Sequence, residues 1–254
     1  MNMKTLVATA CAALALCGTC RADSLADVNA RNAKLPDYKA LHSKVDNTEK
    51  PILWLFVGDS ITHGAQHTNG FRSYPELWME IIKWEYGSRR GLRKEDIVLN
   101  TGVSGETATG FLPQAKWRLT QFKPDVVFIN FGINDANKVK DLNKFKHDLS
   151  SIVGMVRKMK AIPVLQVPTP TTDGQANRPD YAEAVRTVAD KEKCLLVDHA
   201  AYWKEISGSD TAKQNWMNNA LHPNQLGHRV MAMTLAKELG LAPQNSPTLK
   251  LPTE

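Results

Sequence analysis

The stretch LWLFVGDSITHG, from Leu53 to Gly64, changes character abruptly in its middle. Five of its first six residues are apolar, which is typical of a strand buried on both faces of a parallel sheet. The apolar run then stops on Gly, Asp and Ser, and small or polar residues follow. Ligands of open α/β sheets bind beyond the carboxyl ends of the strands, so Ser60 stands where a functional side chain is expected.

Short apolar runs rich in Val, Ile, Leu and Phe recur along the chain. They predict strands over Ile52–Val57, Ile97–Asn100, Asp125–Phe131, Ile162–Val167 and Leu195–Asp198. Apolar residues three and four positions apart predict helices over Tyr74–Tyr86, Leu142–Lys160, Pro179–Lys191 and Asn224–Leu239. This alternation predicts a single α/β domain over residues 51–254, with a parallel sheet covered by helices on both faces.

Residues 1–22 are predicted to be a secretory signal peptide. Lys4 precedes a mostly apolar run over residues 6–17, and small residues follow it. We therefore expect export to the periplasm or the medium. A lipid anchor on Cys17 or Cys20 is a less favoured alternative, because the residue before each cysteine is not the expected Ala or Gly. No other stretch approaches the ~20 apolar residues of a membrane span.

Composition and charge narrow the classes of function. The chain is 43% hydrophobic and 23% charged, as in an ordinary globular protein. Its formal charge is +6, without a block of Lys and Arg, so no nucleic-acid partner is predicted.

Cys194 is the only cysteine outside residues 1–22, and its apolar surroundings predict a buried, unreactive thiol. Residues 23–50 are polar and predict a surface extension.

Small and polar residues follow four of the predicted strands, in the clusters GDSITHG, TGVSGETATG, FGINDAN and PTPTTDG. In a parallel sheet these clusters converge on one edge. Ester hydrolysis through Ser60 would need a base, a group that orients the base, and donors for the oxyanion. His222, in NNALHPNQLGH, is the candidate base: Pro223 favours an extended backbone there, and Asn224 can cap the last helix.

In this order along the chain, GDSIT, a glycine in NTGVSGETATG, GIND and HPN resemble the four sequence blocks of the SGNH (GDSL-type) hydrolase family. The resemblance extends over residues 51–239 and implies a flavodoxin-like three-layer α/β/α sandwich. It also implies that Ser60 is the nucleophile and an oxyanion donor, that Gly105 and Asn134 are further oxyanion donors, and that His222 is the general base. An uncharged amide such as that of Asn134 suits a developing oxyanion.

One position departs from the family pattern. An Asp commonly stands three residues before the histidine, and Asn219 occupies that position here. An amide oxygen can accept an imidazole N–H but carries no charge to stabilise imidazolium. Three outcomes stay open: a Ser-His dyad oriented by Asn219 or a backbone carbonyl, rescue by an acid such as Asp198 or Asp210, or a catalytically inactive binding protein.

Exported bacterial proteins of this family are often carbohydrate O-acetylesterases, so the resemblance implies a short acyl ester on a small or polymeric carbohydrate. Trp203 and Trp216 are expected either to stack on a sugar ring or to pack in the core. Arg72 is expected either to bind the carboxylate of an acidic sugar or to form a surface ion pair. Asp59 is a further candidate for substrate contact.

Rival functions are weaker. A lysophospholipase or thioesterase would need an apolar acyl groove, which no contiguous segment displays. An inactive carbohydrate-binding protein is the other alternative, because Asn219 stands where the family commonly has an Asp. His63 and His67 have the spacing of metal ligands, but Gly64 lies between them and no Glu is suitably placed. Neither a dinucleotide motif nor a P-loop follows a strand. No metal, cofactor or membrane insertion is predicted.

Overall fold

The computed structural model describes residues 24–87, 91–175, 178–208 and 214–250. Within these ranges, parallel strands form one five-stranded sheet in the order β2-β1-β3-β4-β5. The strands are β1 (Leu53–Gly58), β2 (Ile97–Asn100), β3 (Val126–Asn130), β4 (Ile162–Val167) and β5 (Leu195–Asp198). The bounds predicted from the apolar runs are correct to within one residue.

Helices occupy the segments between the strands and both flanks. They are α1 (Leu25–Ala33), α2 (Pro36–Asp46), α3 (Ser60–His63), α4 (Tyr74–Glu80), α5 (Ala108–Phe111), α6 (Ala115–Arg118), α7 (Ile133–Lys138), α8 (Leu142–Lys158), α9 (Arg178–Glu192), α10 (His199–Ser207) and α11 (Gln225–Glu238). Helix α4 continues into a π-helical turn over Ile81–Glu85. Shorter 3₁₀ turns span Leu112–Gln114, Thr120–Phe122 and Gln214–Trp216.

Alternate residues of each strand point to opposite faces of the sheet, so the sheet builds two cores. Trp54 and Phe56 of β1 pack with α2, α4, α10 and α11 on one face. Leu55 and Val57 pack with α5 to α9 on the other face. The fold is therefore a three-layer α/β/α sandwich with a parallel sheet, as predicted.

Residues 24–50 form more than a polar surface segment. Helices α1 and α2 were not predicted, yet Val28, Leu41 and Val45 on them are fully buried. Asn32 is also buried, and its amide pairs with the backbone of Leu196 in β5 at 2.8 and 3.0 Å. A few apolar residues on one face of each helix are enough to attach this charged segment to the domain.

The strand order places a topological switch between β1 and β3. The chain continues from β1 to β2 on one side of β1 and then crosses to β3 on its other side. Ligands bind at such switch points, beyond the carboxyl ends of the strands.

Cys194 is buried, and burial raises the pKa of its thiol to about 12. None of the described helices is long and apolar enough to cross a membrane. The predicted signal peptide, residues 1–22, lies outside the described residues.

Candidate active site

Ser60 lies at the switch point, directly after β1. A Cβ on Gly58 would be 2.2 Å from Thr62 Oγ1, so this close turn requires glycine. Asp59 caps α3 by accepting the backbone N–H of Ile61 at 2.9 Å. Ser60 is the first residue of α3 and is 9% exposed. Among the described residues its own N–H has no acceptor, so it is free to donate to a ligand.

His222 meets the serine from the far end of the chain. Its Nε2 lies 2.8 Å from Ser60 Oγ, and its Nδ1 lies 3.1 Å from Asn219 Oδ1. The same amide oxygen accepts the backbone N–H groups of Leu221 and His222, each at 2.9 Å. Because this oxygen can only accept, Nδ1 must carry the proton. The lone pair of Nε2 therefore faces the serine hydroxyl.

The loop before α11 holds His222 in place. Asn224 caps α11, because its Oδ1 accepts the backbone N–H groups of Leu226 at 2.9 Å and Gly227 at 3.2 Å. Its Nδ2 donates to the carbonyl of Asn215 at 2.8 Å. One asparagine side chain thus fixes both the start of the helix and the approach of the loop, as the sequence predicted for this cap.

The two further donors expected from the sequence, Gly105 and Asn134, lie after β2 and in the first turn of α7. Gly105 has φ +79°, its carbonyl accepts Lys138 Nζ at 2.5 Å, and its N–H has no acceptor within the described chain. Asn134, in the first turn of α7, donates from Nδ2 to the carbonyl of Glu106 at 3.0 Å and to Asp59 Oδ2 at 3.4 Å. These bonds hold the amide between the loops that follow β1 and β2.

Burial dominates the electrostatics of the site. Burial, and then the neighbouring His67, lower the pKa of His222 to about 4. Burial raises the pKa of Asp59 to about 7, against the opposing hydrogen bond from the Ile61 N–H. Burial likewise raises the pKa of Asp135 to about 6. At neutral pH the imidazole of His222 is therefore unprotonated.

Several predicted substrate contacts are corrected by the structure. Trp203 and Trp216 are 0% and 4% exposed and pack edge to face at 5.2 Å, so neither offers a flat face to a sugar. Arg72 pairs with Glu80 at 2.7 Å, which is the surface ion pair given as its alternative, while contact with an acidic sugar stays a prediction. Asp59 is buried and serves α3 and Asn134 instead of an open surface.

Of the two acids considered as substitutes for Asn219, the structure describes Asp198, which does not contact His222. Asp198 is fully buried, where it binds Arg186 at 2.7 Å and caps α10 through the N–H of Ala201. Asp210 lies outside the described residues. Asn219 is the residue that contacts His222 Nδ1.

His67 is a residue at the site that the sequence analysis did not place there. Its ring stacks on the ring of His222 with centroids 3.6 Å apart and planes inclined by 11°. His63 instead bonds to Ser104 Oγ at 3.2 Å, so the two histidines with metal-ligand spacing have different partners. In the described ranges no group of three or more His, Cys, Asp or Glu side chains is arranged to hold a metal ion. No local pattern predicts a stack between residues so distant in the chain.

A serine hydroxyl bonded to an unprotonated imidazole, at the carboxyl edge of a three-layer α/β/α fold, is typical of enzymes that hydrolyse esters through serine. The sequence model of the GDSL-like lipase/acylhydrolase family matches residues 56–230. The chain belongs to this family and is a carboxylic ester hydrolase.

Individual relatives agree with this assignment. An acetylxylan esterase of Geobacillus stearothermophilus is 27% identical over 208 residues, which are 73% of this chain and 93% of that enzyme. An uncharacterized protein of Mycoplasma pneumoniae is 34% identical over 108 residues, and the match spans 41% of this chain but only 12% of that longer protein. The crystal structure of a catalytic mutant of a Geobacillus stearothermophilus acetylxylan esterase has the same fold, with a TM-score of 0.64 and 21% identity over 77% of this chain and 97% of that one.

Proposed function

We propose that this protein is a serine esterase that removes short acyl groups, above all acetyl, from a carbohydrate, with Ser60 as the nucleophile and His222 as the general base. The observation that carries the proposal is the 2.8 Å bond between Ser60 Oγ and His222 Nε2, whose ring is oriented by Asn219. Residues 1–22 support action outside the cytoplasm, because their pattern is that of an export signal.

The reaction runs in two halves through an acyl-enzyme. Ser60 Oγ attacks the ester carbonyl carbon while His222 Nε2 takes the hydroxyl proton, and the imidazolium then gives this proton to the departing sugar oxygen. Water next attacks the acyl-serine while His222 takes a proton from it. The proton returns to Ser60 Oγ as acetate leaves.

The oxyanion formed in each half is bound by the backbone N–H groups of Ser60 and Gly105 and by Asn134 Nδ2. The first two groups support this role because they have no acceptor in the described residues. Asn134 makes a bond of 3.0 Å to Glu106 and one of 3.4 Å to Asp59, and the longer bond is the one that a substrate oxygen replaces.

Asn219 supports a working dyad and not an inactive binder. Its amide oxygen sets the tautomer of His222 that a general base requires, with Nδ1 protonated and Nε2 free. It supplies no negative charge, so the pKa of His222, about 4, is not raised by a neighbouring carboxylate. We therefore expect kcat/KM for an acetyl ester to stay constant down to about pH 5 and to fall near pH 4.

A carbohydrate substrate is favoured by the similarity to the acetylxylan esterase of Geobacillus stearothermophilus. A separate cavity is lined by Gly132 and Ile133 but not by Ser60, Asn134 or His222. The cavity has a volume of about 570 Å³ and lies at the carboxyl ends of β3 and β4, where Ile133, Thr171, Arg178 and Tyr181 contribute to its lining. This volume is in the range of small-molecule sites.

The test compares wild type with Ser60→Ala on the 4-nitrophenyl esters of acetate, butyrate and octanoate, and measures acetate released from acetylated xylan oligosaccharides. We expect acetate to be the best acyl group and Ser60→Ala to lose at least about 10³-fold in kcat. Ser43→Ala, an exposed serine on α2, is the matched control and should keep full activity.

Each contrary result identifies a different error. Preference for octanoate would replace the proposal by a lysophospholipase or thioesterase. Glycan binding with no turnover in wild type, and turnover that appears in Asn219→Asp, would show a binding protein that has lost its triad acid. Activity unchanged in Ser60→Ala would exclude Ser60 as the nucleophile.

A further inference from the structure

Two hydrogen bonds fix the ends of the His222 ring but not its plane. Nδ1 is held by Asn219 at 3.1 Å, and Nε2 faces Ser60 Oγ at 2.8 Å. Rotation about the Cβ–Cγ bond would tilt the ring, weaken both contacts and turn the Nε2 lone pair away from the hydroxyl proton. A contact on the face of the ring is needed to prevent this tilt.

His67 supplies that contact. Its ring lies parallel to the ring of His222, with an interplanar angle of 11° and 3.6 Å between the centroids. The two histidines come from different loops, one after α3 and one before α11, so the stack also joins the loop of the nucleophile to the loop of the base.

A chain of amide side chains ties the same two loops together. Asn218 Oδ1 lies 3.5 Å from His67 Nδ1, and Asn218 Nδ2 donates to Asn69 Oδ1 at 3.2 Å. Asn69 Nδ2 in turn donates to Gln225 Oε1 at 3.0 Å, in the first turn of α11. The backbone N–H of Asn218 donates to the His222 carbonyl at 2.8 Å. His67 is therefore held over His222 by a built network.

Charge on His67 opposes charge on His222, because two imidazolium ions at this distance repel. The other titratable group beside the pair is His228 on α11. Burial lowers the pKa of His228 to about 3, and its Nδ1 accepts the N–H of Tyr74, so it stays neutral. Arg72, in the loop of His67, is paired with Glu80, and Asn218, Asn69 and Gln225 are uncharged. In the described chain, His67 is thus the neighbour whose charge lowers the pKa of His222, after burial.

We propose that His67 is a positioning residue for His222: it holds the plane of the imidazole towards Ser60 and, when protonated, opposes protonation of the base. The inference rests on the proposed function, in which His222 is the general base. In this role His67 acts through the ring of His222.

The test separates the ring from its charge. His67→Ala removes both, His67→Phe keeps a stacking ring without a charge, and His147→Phe on the exposed face of α8 is the matched control. We expect His67→Ala to lower kcat for 4-nitrophenyl acetate by about threefold to tenfold at pH 8, with KM nearly unchanged. His67→Phe should keep kcat at pH 8, because the stacked ring remains.

The pH profile reports the charge. The acid limb of kcat/KM follows the pKa of His222, which burial lowers most and the charge of His67 lowers further. In His67→Phe the limb should move to higher pH by about one unit, because the repulsion is lost. A loss of packing alone would lower activity at every pH and leave the limb in place.

Titration of the His222 imidazole by nitrogen NMR, in wild type and His67→Phe, gives the same shift without any turnover. An unshifted NMR titration and pH limb in His67→Phe would overturn the electrostatic part of the inference. Equal losses of kcat in His67→Ala and His67→Phe, or none in His67→Ala, would overturn the positioning part. If wild type hydrolyses no ester, the proposed function fails, while the NMR titration still decides whether His67 and His222 are coupled.

Discussion

Ser60 and His222 meet at 2.8 Å, but the chain holds the two residues by different means. The serine is fixed by its immediate neighbours: Gly58 allows the tight turn and Asp59 caps α3. The histidine is fixed from a surface loop by asparagine amides, with Asn219 on its ring and Asn224 at the start of α11. A tightly packed turn tolerates few substitutions, whereas in a loop held by neutral hydrogen bonds a substitution can remove a single bond and leave the others in place. We therefore expect substitutions in the packed turn before Ser60 to lower stability and substitutions around His222 to lower activity.

Among substitutions that leave Ser60 and His222 in place, the largest change in rate is expected at Asn134, whose amide bonds to the loops that follow β1 and β2. Asn134→Ala removes the side-chain oxyanion donor and should lower kcat by about 10²- to 10³-fold, with little change in KM. Asn137→Ala on the same helix, α7, is the control and should keep kcat within about twofold. A fall of kcat below threefold in Asn134→Ala would exclude Asn134 from the oxyanion hole.

Gly58→Ala tests the packed nucleophile end. The new Cβ would lie 2.2 Å from Thr62 Oγ1 and 2.7 Å from the Asn130 carbonyl, and Thr62 is itself bonded to Tyr74 at 2.9 Å. We expect a loss of about 1–3 kcal/mol in the free energy of unfolding, measured by thermal or denaturant unfolding.

The matched control for Gly58→Ala is Gly154→Ala in α8, where a Cβ meets nothing within 4 Å. This change should stabilise the protein by up to about 1 kcal/mol, because Ala is the better helix former. If both variants keep the stability of wild type, the nucleophile turn is not tightly packed.

Asn219→Asp sharpens the role of charge at the base end. The new carboxylate would accept the same Nδ1 proton and raise the pKa of His222 from about 4, because a negative charge favours imidazolium. The acid limb of kcat/KM should therefore move to higher pH. Above the limb kcat should rise about tenfold, since the imidazolium formed in the transition state is stabilised.

Asn143→Asp, an exposed asparagine on α8, introduces the same charge far from the site and should change neither quantity. A pH profile of Asn219→Asp that coincides with wild type would mean that Asn219 does not orient His222 during catalysis.

Asn224→Ala is expected to have the smallest effect on stability, about 1 kcal/mol for the lost cap of α11. Because the same side chain holds the loop of His222, kcat should fall as well, by about threefold to tenfold. Asp141→Ala removes the corresponding cap of α8 and should cost a similar stability with no loss of kcat. Equal kcat in the two variants would show that Asn224 caps α11 but does not position His222.

Parts of the fold with a regular local pattern were predictable, and parts that depend on a few long-range contacts were not. The apolar runs located every strand to within one residue. Helices α1 and α2 escaped prediction, because polar residues outnumber the few that are buried on each. For Trp203 and Trp216 the structure selects core packing, one of the two alternatives that the sequence left open, since residue type does not reveal whether an aromatic ring is buried or open.

By itself the sequence determined the family, the parallel sheet and the order of the blocks that bear Ser60, Gly105, Asn134 and His222, because apolar periodicity and short motifs are properties of adjacent residues. Only the tertiary structure decided that Asn219 Oδ1 takes the Nδ1 proton of His222, that Arg72 pairs with Glu80, and that His67 stacks on the base. The stack joins two histidines that are far apart in the sequence. The distance between their rings depends on how the sheet, α3 and α11 pack together. Packing of that kind is the sum of many weak contacts across the whole chain, and no single segment encodes it.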